Sequence, residues 1–314
     1  MRGIGYLSGG ESGESYAWAI SADGTVVVGV SDSANGVEAF RWTEAGGMQA
    51  LGDLPGGSFE SFAYGVSADG SVVVGAGQSA NGLEAFIWTA AGGMQALGDL
   101  PGGSFSSYAS DVSDDGSVVM GTAQSANGAE AFMWTVAGGM VGLGDLPGGS
   151  FMSQAYGVSA DGSVAFGRSI SADSGSGEAF RWTASTGMED LGTARFDLSR
   201  ADATSADKSV IVGHRNSEAS IWTEAGGWEG LGILQGSGSF AYDVSADGTV
   251  VVGYDEGAMA EAFVWTRGYG MLTIGDLPGG EFNSRALGLS ADGSVAVGWG
   301  TVENGYQAAI WTID

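Results

Sequence analysis

Carboxylates are the side chains best placed to do chemistry in this chain, because an aspartate recurs within a phrase such as Ser67-Ala68-Asp69-Gly70. The recurring aspartates are Asp23, Asp69, Asp115, Asp161, Asp207, Asp247 and Asp292. Seven converging carboxylates could bind a metal ion, but aspartate followed by glycine is typical of a tight turn. Turns at the ends of separate units lie far apart, so the pattern favours turns over a metal site.

Two other acidic patterns could carry chemistry. The segment Asp111-Val112-Ser113-Asp114-Asp115-Gly116 gathers three carboxylates, but it lacks the spacing and the closing glutamate of a calcium loop. A second set of acids opens a repeated strand: Glu38, Glu84, Glu130, Glu178, Glu218 and Glu261. Glycosidases use two unlike acids roughly 5–10 Å apart, whereas a repeated glutamate gives equivalent acids in successive units. Neither pattern predicts a metal or a cofactor.

Nucleophilic catalysis has little support in the composition. The chain contains one histidine, His214, no cysteine and no Gly-x-Ser-x-Gly element. A histidine metal cluster or a catalytic triad with spare partners therefore cannot be assembled. A binding or structural role is favoured over catalysis, although a hydrolase or a lyase stays open.

Charge and hydropathy limit the kinds of partner that the chain is expected to bind. The 314 residues carry 37 acidic and 10 basic side chains, a net charge of -27, which disfavours nucleic acid and anionic membrane surfaces. No uninterrupted apolar stretch is long enough to cross a bilayer, so membrane insertion is not predicted. The start Met1-Arg2-Gly3 leads directly into repeat sequence. We therefore expect either a cytosolic chain or a leader that is absent from these residues.

Internal repeats define the organisation. Five of the six spacings between the recurring aspartates are 45 or 46 residues and one is 40. A tryptophan recurs in the same rhythm, at Trp42, Trp88, Trp134, Trp182, Trp222, Trp265 and Trp311. The 59 glycines and 4 prolines suit tight turns between short strands. The chain therefore contains seven units of about 46 residues.

The second unit predicts four antiparallel strands. The strand at Phe62–Ser67 is followed by an Asp-Gly turn and by the β-branched strand Ser71–Gly75. Further turns at residues 80–82 and 91–93 lead into the strands Glu84–Thr89 and Met94–Leu97. The link Leu100–Phe105 must then cross the sheet, so the first strand of each unit is innermost and the fourth outermost.

The chain ends predict a closed ring. The sequence opens on an outer-strand fragment, Gly5–Gly10, and stops after the third strand of the seventh unit. A first segment that completes the last sheet removes exposed sheet edges. We predict an all-β fold: a seven-bladed β-propeller of four-stranded antiparallel blades, with the N-terminal strand closing the last blade. Residues 1–314 would form one monomeric domain.

The chain resembles the bacterial HAF-type extracellular repeats. The resemblance is carried by Glu84-Ala85-Phe86-Ile87-Trp88-Thr89, Gly92-Gly93-Met94, Leu97-Gly98-Asp99-Leu100 and Ser67-Ala68-Asp69-Gly70, and it covers nearly the whole chain. It implies a secreted or cell-surface location in bacteria, sometimes in proteins that look like autotransporter passengers. It implies no catalytic residues. The fifth unit departs most from the pattern. It has Ser220 in place of the third-strand phenylalanine and Lys208 in place of the turn glycine.

Candidate binding residues lie where the units differ. One column in the innermost strand runs Tyr16, Phe62, Tyr108, Gln154, Arg200, Phe240 and Arg285. Two residues later the column runs Trp18, Tyr64, Ser110, Tyr156, Asp202, Tyr242 and Leu287. A third column, at the end of the second strand, runs Val30, Ala76, Thr122, Arg168, His214, Tyr254 and Trp299. The first and third columns are expected on one face, the face of the Pro-Gly-Gly-Ser loops.

Aromatic and arginine side chains on one face suit the recognition of sugars or small anions. The alternative is drift among near-neutral packing positions. Positive charge also concentrates in or near the fifth unit, at Arg195, Arg200, His214 and Arg215, although Asp197, Asp202 and Glu218 could balance it locally. Lys208 is expected on the opposite face. The predicted ligand-binding residues are Arg195, Arg200, Asp202, His214, Arg215, Tyr242, Tyr254, Arg285 and Trp299.

Three functions stay open. The first is a secreted or cell-surface recognition or adhesion module that binds a glycan or another extracellular partner through this face. The second is a structural passenger or spacer domain. The third is an enzyme, which would require unlike polar residues such as Arg200, Asp202 and His214 to converge. The site is expected near the fifth unit.

Overall fold

The protein is described by a computed structural model that covers residues 1–10, 13–172, 177–192 and 198–313. Every regular element in these ranges is a β-strand, as expected for short valine-rich segments punctuated by glycine turns. None of the described residues forms a helix long and apolar enough to cross a membrane.

The described residues form 28 strands. The first thirteen are β1 (Arg2–Gly3), β2 (Ser15–Ile20), β3 (Val26–Ser33), β4 (Gly36–Thr43), β5 (Gly47–Ala50), β6 (Gly56–Val66), β7 (Val72–Ser79), β8 (Gly82–Thr89), β9 (Gly93–Gly98), β10 (Gly102–Val112), β11 (Val118–Ser125), β12 (Gly128–Thr135) and β13 (Gly139–Gly142). The next eight are β14 (Gly148–Val158), β15 (Val164–Ser171), β16 (Glu178–Thr183), β17 (Gly187–Asp190), β18 (Ser199–Thr204), β19 (Ile211–Arg215), β20 (Glu218–Thr223) and β21 (Gly227–Gly230). The last seven are β22 (Gly238–Val244), β23 (Val250–Glu256), β24 (Ala260–Thr266), β25 (Gly270–Thr273), β26 (Ser284–Leu289), β27 (Val295–Val302) and β28 (Gly305–Thr312).

Strands of each unit pair antiparallel in chain order, as in the sheet β14-β15-β16-β17. The first three units are joined into one larger sheet by isolated parallel contacts, between Val37 and Glu60 and between Leu83 and Ser106. The N-terminal β1 pairs with β28 and completes the last sheet, β1-β28-β27-β26. The paired residues are Arg2 and Gly3 rather than the predicted segment Gly5–Gly10, because Gly5 has φ +83° and ends the strand.

The turn predicted between the first and second strands is present in every unit. Its glycine lies in the left-handed region, as at Gly70 with φ +69°. In the fifth unit Lys208 occupies the same left-handed position, with φ +63°, where the other six units have glycine. Its ammonium Nζ lies 2.5 Å from Asp161 Oδ2 and 2.9 Å from Ser163 Oγ in the preceding unit.

A buried serine in each first strand connects neighbouring units. Its hydroxyl accepts a hydrogen bond from the backbone N–H of an alanine in the third strand of the preceding unit. The seven alanine–serine pairs are Ala39–Ser61, Ala85–Ser107, Ala131–Ser153, Ala179–Ser199, Ala219–Ser239, Ala262–Ser284 and Ala308–Ser15. The last pair joins the seventh unit to the first.

Backbone hydrogen bonds between the turns repeat this connection on the other face. Ala22 N–H donates to Ala68 O in the next unit, and Ala291 N–H of the seventh unit donates to Ala22 O. Equivalent bonds join the turns of units two to three, three to four, five to six and six to seven. The first and last units are therefore neighbours in space.

The core consists of separate apolar clusters between adjacent units. One cluster packs Val28 and Leu51 of the first unit against Val73 and Phe86 of the second. In the fifth unit Ser220 replaces the third-strand phenylalanine. Phe166 of the fourth unit packs in the cluster between these two units and supplies the aromatic volume there.

Candidate functional site

The variable columns of the sequence are neighbours across the first two strands of every unit. Arg200 pairs with His214, Phe240 with Tyr254 and Arg285 with Trp299, and the remaining units pair in the same register. Two residues further along each first strand, the register shifts by one residue. In the fifth unit, for example, Ala201 pairs with Gly213 and Ala203 pairs with Val212. Asp202, which lies between them, has no partner residue in the second strand.

This β-bulge determines which side chains reach the interior. A bulge inserts one unpaired residue and changes the direction of the side chains around it. Consecutive residues such as Ser110 and Asp111, or Tyr242 and Asp243, therefore both line the same cavity. Simple alternation would have sent one member of each pair to the opposite side.

The cavity has a volume of about 630 Å³ and is lined by the first strands of all seven units. Its wall is composed of Trp18, Ala19, Ile20, Tyr64, Val66, Leu83, Tyr108, Ser110, Asp111, Tyr156, Arg200, Asp202, Ala203, Tyr242, Asp243, Arg285, Leu287, Gly288 and Trp299. All seven units thus contribute to the wall, whereas the sequence suggested a site near the fifth unit.

Aromatic rings dominate the part of the wall formed by the first, second and seventh units. Trp18 stacks on Tyr64 with centroids 4.9 Å apart, and Tyr64 is stacked with Phe62 at 6.2 Å. Tyr16 and Trp299 meet edge to face at 5.7 Å. We call these rings, which are Tyr16, Trp18, Phe62, Tyr64 and Trp299, the aromatic arc. A second cavity of about 270 Å³ adjoins the aromatic arc and shares Trp18 with the first cavity. Such contacting rings form a rigid apolar surface.

The fifth unit contributes a charge pair. Arg200 Nη2 lies 2.5 Å from Asp202 Oδ1, and the guanidinium is centred 3.8 Å above the Tyr156 ring. Burial raises the pKa of Asp202 to about 6, against the opposing effect of Arg200. His214 Nδ1 lies 3.9 Å from Asp202 Oδ2, too far for a hydrogen bond. Burial, with nearby arginines, lowers the pKa of His214 to about 4, so this imidazole is neutral at pH 7.

Arg285 of the seventh unit has a different environment. Its guanidinium is centred 4.1 Å from the Tyr254 ring and 5.3 Å from the Trp299 ring. Within the described part of the chain, no carboxylate forms an ion pair with Arg285, and its buried Nε has no acceptor. Aromatic rings therefore position this cation without neutralising it.

Two cavity aspartates were not among the predicted binding residues. Asp111 accepts hydrogen bonds from the N–H groups of Val112 and Val158, at 2.8 and 2.9 Å. Asp243 forms the equivalent bonds with Val244 and Leu289. Burial raises the pKa of each carboxyl to about 7, so both are partly protonated near neutral pH. The sequence contained one signal for them: at this position of the first strand, the other five units have glycine or alanine.

The predicted binding residues do not all reach the cavity. Arg200, Asp202, Tyr242, Arg285 and Trp299 line the cavity. His214 and Tyr254 lie behind the wall, where both contact the ring of Phe240. Arg215 ends β19 and is not part of the cavity wall. Arg195 lies outside the described residues.

The repeated acids have local roles. The turn aspartate accepts bonds from its own turn, as Asp69 does from Ser67 Oγ and the Ser71 N–H. Glu38 accepts a hydrogen bond from the Gly52 N–H, just after the fourth strand of its unit. Across the residues that can be described, no three histidine, aspartate or glutamate side chains lie close enough to hold a metal ion.

No protein-family model matches the chain, and no curated protein matches it in sequence. Similarity to solved structures is one of fold. TolB from Acinetobacter baumannii is 15% identical with a TM-score of 0.52, over 82% of this chain and 62% of TolB, so the chain spans less than two thirds of that protein. An oligogalacturonate lyase from Vibrio parahaemolyticus is 9% identical with a TM-score of 0.61, over 96% of this chain and 91% of the lyase. An oligogalacturonate lyase in complex with manganese is 12% identical with a TM-score of 0.61, over 95% and 88% of the two chains. The architecture is therefore all-β and propeller-like.

Proposed function

We propose that this protein is a glycan-binding recognition module whose ligand occupies the cavity between the first strands. The observation that carries the proposal is the composition of the wall, where the aromatic arc around Trp18 and Tyr64 shares one cavity with Arg200, Asp202 and Arg285. Aromatic planes stack on the apolar faces of sugar rings, and charged side chains hydrogen-bond to hydroxyl groups. A cavity of about 630 Å³ is large enough for a small saccharide.

The same proposal includes the finer architecture. Residues 1–314 would form one closed, monomeric propeller of seven blades, and β1 would complete the seventh. The serine bond between Ala308 and Ser15 and the turn bond between Ala291 and Ala22 support closure, because both join the last unit to the first. The resemblance to HAF-type extracellular repeats supports a secreted or cell-surface location.

A glycan array tests the function. We expect the protein to bind a restricted set of glycans, and Trp18→Ala and Tyr242→Ala to lose that binding while remaining folded. Tyr269→Ala is the matched control, because this ring is 84% exposed outside the cavity. Binding that survives both cavity substitutions would place the ligand elsewhere. No binding to any glycan or matrix protein would favour a structural passenger or spacer.

Catalysis is the second candidate, because Arg200 and Asp202 form an ion pair at the cavity and His214 lies directly behind it, with Nδ1 3.9 Å from Asp202 Oδ2. A hydrolase or lyase would cleave a glycan that binds on the array. Incubation of the protein with a soluble form of that glycan should then release shorter products. Intact glycan after prolonged incubation, with binding retained, would leave recognition as the function.

A further inference from the structure

Arg285 is the cavity cation with the most unused hydrogen-bonding capacity. A guanidinium presents five N–H donors in its plane and no acceptor. Tyr254 and Trp299 contact it as π-systems, which engages the positive charge but provides no hydrogen-bond acceptor for the in-plane donors. Among the described residues, no side chain or backbone oxygen accepts a hydrogen bond from the buried Nε. The Nε of Arg200 is unpaired as well, but Arg200 Nη2 pairs with Asp202. The Nη1 and Nη2 groups of Arg285 have no acceptor among the described residues, so they are the donors that a ligand in the cavity could use.

The other charges of the cavity do not cancel this cation. Asp202 forms its ion pair with Arg200. Asp111 and Asp243 each use both carboxylate oxygens to accept backbone N–H groups, and their raised pKa values reduce their negative charge near neutral pH. Arg285 is therefore a localised positive site in a chain whose net charge is -27.

We propose that Arg285 binds the carboxylate of an acidic saccharide, of the uronic acid class, and that this contact selects acidic over neutral sugars. The inference rests on the proposed glycan-binding function and names the class of glycan. A guanidinium matches the two oxygens of a carboxylate in a bidentate geometry, which a hydroxyl group cannot reproduce.

The position of Arg285 connects the carboxylate site to the aromatic arc. Trp299, one of its two ring partners, contacts Tyr16 of the first unit, and Trp18 lies two residues further along the same strand. Trp18 and Arg285 line the same cavity. An acidic saccharide bound in this cavity would therefore meet both an aromatic surface and the guanidinium of Arg285.

Calorimetric titration tests this assignment. The probes are glucuronate and galacturonate, the neutral hexoses glucose and galactose, the uncharged methyl esters of the two uronates, and acetate. We expect the matching uronate to bind about tenfold to a hundredfold more tightly than its hexose or ester, the range for a charge-assisted pair. Arg285→Gln should abolish the difference and Arg285→Lys should reduce it. The matched control is Arg267→Gln, because this arginine is 66% exposed and pairs with Glu229 outside the cavity.

The outcomes separate the two proposals. Equal binding of uronate, ester and hexose would overturn the role of Arg285 and leave the glycan-binding function intact. Binding of acetate as tight as that of uronate would indicate a general small-anion site and overturn the saccharide assignment. No binding of any sugar, in the titration or on the array, would overturn both. The comparison of uronate with ester uses the unmodified protein, so it does not depend on the folding of a variant.

Discussion

Replacing Arg200 with methionine should destabilise the protein more at high pH than at low pH. Methionine keeps apolar bulk over the Tyr156 ring but leaves Asp202 without its cation. The side chain of Asp202 is only 5% exposed, so its carboxylate would be buried and unpaired. The carboxyl then binds a proton more readily, and its pKa rises above the value of about 6 that it has beside Arg200.

The size of the effect follows from burial. Removing one partner of a fully buried ion pair costs about 3–5 kcal/mol, and the 27% exposure of Arg200 reduces this to about 2–3 kcal/mol at pH 8. At pH 5 the Asp202 carboxyl of the variant is protonated, so about 1 kcal/mol remains for the lost contact between the cation and the tyrosine ring. The sign follows from linkage: the folded variant binds more protons than the unfolded chain below its raised pKa, so its unfolding free energy falls as pH rises.

Denaturant unfolding at pH 5 and pH 8, followed by tryptophan fluorescence, measures both values. Arg200 also lowers the pKa of His214, so parent and variant both carry His214→Gln in this comparison. The remaining titrating groups contribute to both proteins alike, and the difference between them reports Asp202. The double variant Arg200→Met/Asp202→Asn is the control, because it removes both charges and should recover most of the loss at pH 8. An equal loss at both pH values, or a double variant as unstable at pH 8 as the single one, would refute the reasoning.

Three further predictions concern the framework. Lys208→Gly should be more stable than Lys208→Met by about 1 kcal/mol, because glycine relieves the left-handed strain and both variants lose the partly exposed contact with Asp161; thermal unfolding compares them. Ser61→Ala should reduce the unfolding free energy by about 1–3 kcal/mol, because the buried Ala39 N–H loses its acceptor; urea unfolding measures this loss. Asp111→Asn should flatten the pH dependence of stability, because the parent carboxyl, with its pKa raised to about 7, loses its stabilising proton as pH rises from about 4 to 7; thermal midpoints from pH 4 to pH 8 give the slope.

Each framework prediction has its own control. Ser58→Ala removes an exposed serine of the same strand and should change stability by less than about 0.5 kcal/mol. A loss equal to that of the Ser61 variant would mean that the buried hydroxyl has no special role. Equal stability of the two Lys208 variants would argue against strain at that turn. An unchanged pH slope in the Asp111 variant would mean that this carboxyl does not titrate in the assigned range.

The repeat made most of the fold predictable. Positions such as Gly70 and the strand Val72–Ser79 follow from turn chemistry and β-branched residues, and their recurrence fixes the strand order. The occupancy of the left-handed turn position by Lys208 was predictable for the same reason, since six equivalent units defined the turn. The sequence predicted that the N-terminal segment pairs with the last sheet. It did not predict that the paired residues are Arg2 and Gly3.

The candidate site was predictable only up to the bulge. Variation between units identified Arg200 and Arg285, because packing positions repeat and these do not. Asp111 and Asp243 were missed because strand alternation directs them away from Ser110 and Tyr242, while the register shift brings both members of each pair to the cavity. The same register shift recurs between the first two strands of every unit, but the alternation of side chains along a single strand does not reveal it.

A crystal structure of the protein with the tightest-binding glycan tests the cavity as the ligand site most directly. We predict density for a sugar ring against Trp18 and Tyr64, with an acidic group, where the glycan carries one, hydrogen-bonded to Arg285. A glycan bound on the outer strands or beside the Asp-Gly turns, with no sugar in the cavity at saturating concentration, would contradict the proposed function.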